Sequence, residues 1–319
     1  MRFEVGGGGE PRRLDQFLAE ALATGPHAMT RSQVRRLIDE GAVRVNGAAA
    51  AAKAGVRLYA GDEVVVVIAP PAPARAQAQD IPLDVLFEDD HLIVVDKPPG
   101  LVVHPSPGHP DGTLVNALLA RATGLSGVGG ELRPGIVHRL DRGTSGVIVA
   151  TKDDATHVAL AALFKAKTLR REYLALLAPP PPRLQGTIDT LYGRHPVHRK
   201  RFSSKVERGK RAVTHYWVEE RLAAGAAALV RCRLETGRTH QIRVHCADAG
   251  WPVVGDPVYG RKSGAARVDE VGAALGRQAL HAAVLAFVHP VTKEPLEFET
   301  APPADMQRAL AALRATTAA

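Results

Sequence analysis

The chain has 319 residues, a formal net charge of +8 and a hydrophobic fraction of 45%. That length allows two domains and that apolar content a sizeable core, while the charge points to an anionic partner, nucleic acid first among them. Two cysteines, Cys232 and Cys246, are too few and too far apart for a zinc set or a disulfide framework. No apolar run approaches membrane-spanning length and Met1-Arg2-Phe3-Glu4-Val5 lacks a signal-peptide core, so a soluble cytoplasmic protein without metal is expected.

Leu14, Phe17, Leu18, Ala21 and Leu22 recur at helical spacing. A second helix opens at the capping-box pair Thr30 and Gln33, carries Val34, Leu37 and Ile38 as its apolar stripe and stops at Gly41. Arg31, Arg35 and Arg36 fall mainly off that stripe. Val43-Arg44-Val45 alternates, Asn46-Gly47 is a hairpin-turn signal, and Val64 to Ile68 is another strand candidate. Pro70 to Gln79 is rich in Ala and Pro, which reads as an extended linker that lets its flanking domains move relative to each other.

Beyond the linker, Val85-Leu86-Phe87 and Leu92 to Val95 read as strands around a turn at Asp89-Asp90, and Lys97-Pro98-Pro99-Gly100 forces a turn. Thr113 to Ala120 and Thr156 to Phe164 read as helices, the second capped by Asp153 or Asp154. The Gly-rich loop Gly124 to Glu131 has neither a dinucleotide fingerprint nor a Walker pattern. Tyr173 to Leu177, Val213 to Val218, Leu229 to Leu234 and Ile242-Arg243-Val244 supply further strands. Long helical crossovers are scarce, so the sheet is expected to be mostly antiparallel and the fold class α+β. From Arg194 to Arg211 eight basic residues face one acid, a density that suits a solvated, mobile segment or phosphate contact equally well.

The most telling stretch runs from Arg133-Pro134-Gly135 through His138-Arg139-Leu140-Asp141-Arg142 to Gly143-Thr144-Ser145-Gly146, a charged loop ahead of the apolar run Val147 to Ala150. Asp141 lies between two arginines, and nearby positive charge favours its ionised form. A held carboxylate serves as nucleophile or base, although an Asp making local salt bridges in a solvated loop has the same sequence.

His138-Arg139-Leu140-Asp141 followed by Thr144-Ser145-Gly146 resembles the signature of the RluA/RluD family of pseudouridine synthases. The resemblance returns at Asp96-Lys97-Pro98-Pro99-Gly100-Leu101, at Arg171-Glu172-Tyr173, from Leu234 to Arg243 and at Gln278-Ala279-Leu280-His281-Ala282, and it covers the chain from about Pro11 to Met306. The two short helices and small sheet of residues 1–69 resemble the alpha-L RNA-binding motif, the Ala/Pro stretch makes 70–80 a linker, and the family resemblance implies 81–319 as a catalytic domain with a large mixed sheet, flanking helices and a central cleft. The family resemblance has consequences for single residues as well. It further implies Asp141 as the catalytic residue, Tyr173 stacked on the target base, Arg243 paired with Asp141, and Leu280 as the apolar floor of the uracil pocket. Arg139, and Arg31, Arg35 and Arg36 in the first domain, become candidates for binding RNA. The implied reaction isomerises uridine to pseudouridine without cofactor, in RNA and on the RluD-like pattern in large-subunit ribosomal RNA or its precursor, by a monomer.

Three other readings compete. A serine hydrolase built on Ser145 and His138 lacks the Gly-x-Ser-x-Gly elbow. A base-removing glycosylase shares the first chemical step, and a ribosome-assembly protein that binds RNA without catalysis would need only the first domain.

Overall fold

The computed structural model describes residues 1–6, 10–23, 29, 31–49, 55–67, 76–106, 108–122, 124–128, 130, 132–198 and 201–315. Two compact units emerge, Met1–Pro73 and Ala74–Ala319. Residues 70–75 of the expected linker lie outside the described residues. Within the second unit the carbonyl of Gln77 accepts from Asn116 Nδ2 and Gln79 Oε1 accepts from the Gly112 amide.

The first unit holds β1 (Arg2–Glu4), β2 (Arg12–Arg13), α1 (Leu14–Ala21), α2 (Arg31–Asp39), β3 (Val43–Val45), β4 (Ala48–Ala49), β5 (Arg57–Leu58) and β6 (Glu63–Val66). Its main sheet runs β1-β6-β3-β4, and β2 pairs separately with β5. Leu14 and Leu18 of α1 and Val34 and Ile38 of α2 pack with Val43, Leu58, Val64 and Val66 into a core of their own. Asn46 and Gly47 both take positive φ, 51° and 78°, as a two-residue hairpin between β3 and β4 requires. The capping residue expected at Thr30 lies outside the described residues.

The second unit contains β7 (Asp84–Glu88), β8 (Leu92–Lys97), α3 (Leu114–Arg121), β9 (Ser145–Thr151), α4 (Asp154–Ala166), β10 (Arg170–Leu177), β11 (Gln185–Arg194), β12 (Phe202–Ser203), β13 (Lys210–Leu222), β14 (Ala227–Leu234), α5 (Gln241–Asp248), α6 (Ala266–Leu275), β15 (Leu280–Val288), β16 (Pro295–Glu299) and α7 (Ala304–Ala315). One sheet takes all ten strands in the order β12-β11-β13-β14-β10-β15-β9-β8-β7, with β16 also on β15. Every pairing is antiparallel except β15 with β9. The fold is therefore α+β with a large mixed sheet, as expected. Thr113 caps α3 in a capping box with Asn116, and the Asp153 carboxylate accepts from the Thr156 amide at the start of α4.

The sheet forks where β9 meets β15. Parallel pairing there spans only His281 with Ser145 and Ala282 with Gly146, after which β16 takes the same side of β15. A Cβ on Gly146 would lie 2.2 Å from the Ala282 carbonyl oxygen, and its φ is +113°, so only glycine lets the two strands approach this closely. The loop carrying Asp141 runs directly into this fork.

Two expectations need correction. Ile242-Arg243-Val244 is the start of helix α5, not a strand. Gln241 through Cys246 are all buried, so no polar stripe marks a helical period, and two β-branched residues around Arg243 mimic a buried strand. Part of the basic segment 194–211 is also ordered: it contributes β12 and the start of β13, while Ser203 and Ser204 fasten to the Asp248 carboxylate. Arg199 and Lys200 lie outside the described residues.

Candidate active site

The Asp141 loop is clamped from two sides. On one side Lys97, at the end of β8 and fully buried, donates from Nζ to the carbonyls of Pro98 at 2.8 Å and Leu101 at 3.0 Å, with Arg142 O at 3.4 Å. Burial drives the Lys97 amine down to about 7, against the charge of Asp141, which raises it. On the other side Arg277 donates to the Gly143 carbonyl and Gln278 to Thr144 Oγ1. A Cβ on Gly143 would meet Gln278 Oε1 at 2.6 Å, so the loop lies flat on that side chain. The Lys97 and Gln278 motifs seen in the sequence thus share one task, which is to hold the backbone around Asp141.

Arg243 reaches Asp141 from α5. Its Nη1 donates to Asp141 Oδ2 at 2.9 Å. Its Nε and Nη2 donate to Asp256 Oδ2 and Oδ1 at 2.7 and 2.9 Å, a two-point fork in which the Asp256 side chain is wholly buried. Burial pushes the Asp256 carboxyl up, but hydrogen bonds and charge from Arg243 and the amides of Tyr259 and Val258 bring it below its ordinary value. Sequence reasoning missed Asp256, since an isolated Asp in a Gly-Asp-Pro turn carries no signal for a partner thirteen residues upstream.

Two cavities of about 530 and 740 Å³ meet at Arg139, Asp141, His240 and Arg243. Tyr173 and Leu280 line the first; both are buried, and Tyr173 sits on β10 opposite Ala282 of β15. Burial raises the Tyr173 phenol, so it stays protonated. Arg171, Arg238, Lys165 and Lys167 add positive charge to the first cavity, Arg142 and Arg277 to the second, and Arg133 to both. The exposed Arg139 belongs to both.

Asp141, Tyr173, Arg243, Leu280 and Arg139 are therefore brought together. Arg31 and Arg35 belong to the first unit, where they surround the buried Asp15 carboxylate at 2.8 and 3.5 Å. The side chain of Arg36 lies outside the described residues. Ser145 and His138 do not form a dyad: Ser145 Oγ pairs with His281 Nδ1, while His138 Nε2 accepts from the Val149 amide and its ring stacks on Phe164. Burial, then the Arg171 charge, lowers His138 to about 3, so it is neutral.

The profile of the RNA pseudouridylate synthase family matches residues 91–248, and that of the S4 domain matches residues 12–64. The Ribosomal large subunit pseudouridine synthase D of Zymomonas mobilis is 44% identical over 297 residues, covering 92% of each chain. The protein of the same name from Nitrosomonas europaea is 44% identical over 303 residues, 95% of this chain and 84% of its own. Among solved structures, Human RNA Pseudouridylate Synthase Domain Containing 4 superposes with a TM-score of 0.56 at 26% identity, covering 72% of this chain and 93% of that one. Human RNA Pseudouridylate Synthase Domain Containing 1 gives 0.55 at 30% identity, covering 70% and 84%.

Proposed function

The chain belongs to the RNA pseudouridylate synthase family, and from that membership we propose that it isomerises particular uridines of large-subunit ribosomal RNA, in the cytoplasm and as a monomer, with Asp141 as the reacting group. The observation that carries the assignment of Asp141 is its asymmetric setting. One carboxylate oxygen is tied to Arg243, and the residue opens on a cavity walled by Tyr173 and Leu280. A carboxylate held this way is oriented towards the cavity, as a nucleophile or a base must be.

Isomerisation breaks the bond from N1 to C1′, turns the uracil and joins C5 to C1′, while a proton leaves C5 and one is gained at N1. Nothing is oxidised, reduced or hydrolysed overall. An apolar wall of Tyr173 and Leu280 suits a detached base that must turn without escaping. Bringing the base out of its stack costs a few kcal/mol, which the arginines around both cavities offset by neutralising flanking phosphates. The S4 domain of the first unit adds a second grip on RNA.

The test is pseudouridine mapping of total RNA from cells with the gene, without it, and with Asp141→Asn in its place. Specific large-subunit positions should lose the modification in both altered strains. A map unchanged by deletion would overturn the substrate assignment, and a map unchanged by Asp141→Asn the site assignment.

A further inference from the structure

His240 stands beside the reacting carboxylate in a posture that its place in the chain does not explain. It precedes α5 at φ 60° and ψ 20°, a left-handed conformation that is costly for a non-glycine residue and accumulates at functional sites. Its side chain does not cap its own helix. The ring instead places Nδ1 2.9 Å from the Tyr259 hydroxyl and Nε2 3.8 Å from Asp141 Oδ1, the oxygen Arg243 leaves free.

The Tyr259 hydroxyl is placed to select the tautomer: it accepts from the Phe202 amide at 3.1 Å, which leaves its own proton for His240 Nδ1. With Nδ1 accepting, the neutral ring carries its proton on Nε2, towards Asp141. Burial lowers the His240 pKa, consistent with a neutral ring.

A donor and a carboxylate oxygen 3.8 Å apart are too far for a direct hydrogen bond but can both reach, at about 2.8 Å, one oxygen placed between them. That oxygen must accept from Nε2–H and donate to the carboxylate, as a water or a hydroxyl does; among the substrate's own oxygens only a hydroxyl can. Within an RNA chain the 3′ and 5′ oxygens are esterified, and the uracil oxygens only accept. The sole hydroxyl of an internal uridine is the 2′-OH, one carbon from the C1′ at which bonds break and form.

We propose that His240 is a substrate-binding residue, donating from Nε2–H to the 2′-oxygen of the target ribose while that hydroxyl donates to Asp141 Oδ1. The bridge fixes C1′ against the carboxylate and makes the site read ribose over deoxyribose. Tyr259 is the positioning residue that holds the tautomer. The inference rests on the synthase reading above.

The experiment uses the full chain and an RNA stem-loop carrying a uridine that mapping assigns to this enzyme, together with the same stem-loop bearing 2′-deoxyuridine there as a competitive inhibitor. Wild type should bind the ribose form about 5- to 10-fold more tightly, the net worth of about one hydrogen bond. His240→Phe, which keeps a ring but no donor, should shrink that preference to within about twofold and slow single-turnover conversion. His240→Gln, whose amide nitrogen falls near the position of Nε2, should restore part of both. Tyr259→Phe should weaken the preference less than His240→Phe does. If His240→Phe retains the wild-type preference, or if wild type shows none, the inference is overturned. Should His240→Phe not fold, the same preference measured in His240→Gln and His240→Ala decides. Wild type that converts no uridine anywhere would instead defeat the synthase reading.

Discussion

Arg243 ties two carboxylates together, and replacing it with methionine tests both bonds at once. The change keeps much of the apolar stem and removes the hydrogen bonds to Asp141 and Asp256. Among the described residues Asp256 then keeps only the amides of Val258 and Tyr259, both on Oδ1, and its buried Oδ2 is left bare. Stripping one partner from a buried ion pair costs ~3–5 kcal/mol, which for a unit of this size lowers Tm by roughly 6–20 °C. The pH dependence follows from the sign of the Asp256 shift. In wild type its pKa is depressed, so its stabilisation is present above the unfolded value and is lost as pH falls through the folded one. Without Arg243 burial dominates and the folded pKa rises above the unfolded value. The stability deficit of Arg243→Met should then be full at pH 8 and shrink as pH falls through the raised value. Adding Asp256→Leu removes the stranded charge, so the double variant should recover most of the lost Tm at pH 8 yet stay inactive, because Asp141 still lacks its holder. Thermal melts at pH 8 and pH 5, with single-turnover assays on the same preparations, separate the two roles. A deficit that is independent of pH and unrelieved by Asp256→Leu would refute the reasoning.

Asp141→Asn nearly preserves shape and removes the anion, so turnover should fall by roughly 10²–10⁴-fold or more while RNA affinity, read by equilibrium binding, stays within a few fold. Lys97→Met leaves the carbonyls of Pro98 and Leu101 without their donor and should reduce turnover more than binding. Because the Lys97 amine falls to about 7, the unfolded chain holds more protons between about pH 7 and its ordinary value of 10.5, and stability from this group rises with pH through that window. The methionine variant should lose that slope in denaturant titrations at pH 7 to 10. Removing residues 1–73 should flatten the salt dependence of RNA binding by about 0.7–0.9 in log–log slope for each phosphate that the shortened chain no longer neutralises, while conversion of a short stem-loop at high concentration survives; an unchanged slope would assign the first unit another role.

Sequence alone determined the parts of this protein that depend on local chemistry. The α1 and α2 stripes, the Asn46-Gly47 hairpin, the buried run Val147 to Ala150 and a cap at Asp153 or its neighbour Asp154 were legible, because helical period, positive-φ turn residues and capping side chains act within a few residues. The ordered series of motifs carried the family, since each lies in one contiguous stretch. Tertiary structure decided what depends on distant partners. Ile242-Arg243-Val244 is helical because burial on all sides erases the periodicity that separates helix from strand. The strand β11, with few bulky apolar residues of its own, exists through its ladder to β13, and β15 through its place between β10 and β9. Asp256 behind Arg243, the Lys97 and Gln278 clamps on the Asp141 loop, and His240 facing Asp141 through Tyr259 are contacts between residues that only the folded sheet and α5 bring within hydrogen-bonding range. Local sequence patterns report what a residue does to its neighbours in the chain, whereas hydrogen bonds and charge pairs reward nearness in space, which only the packing of the sheet and α5 supplies.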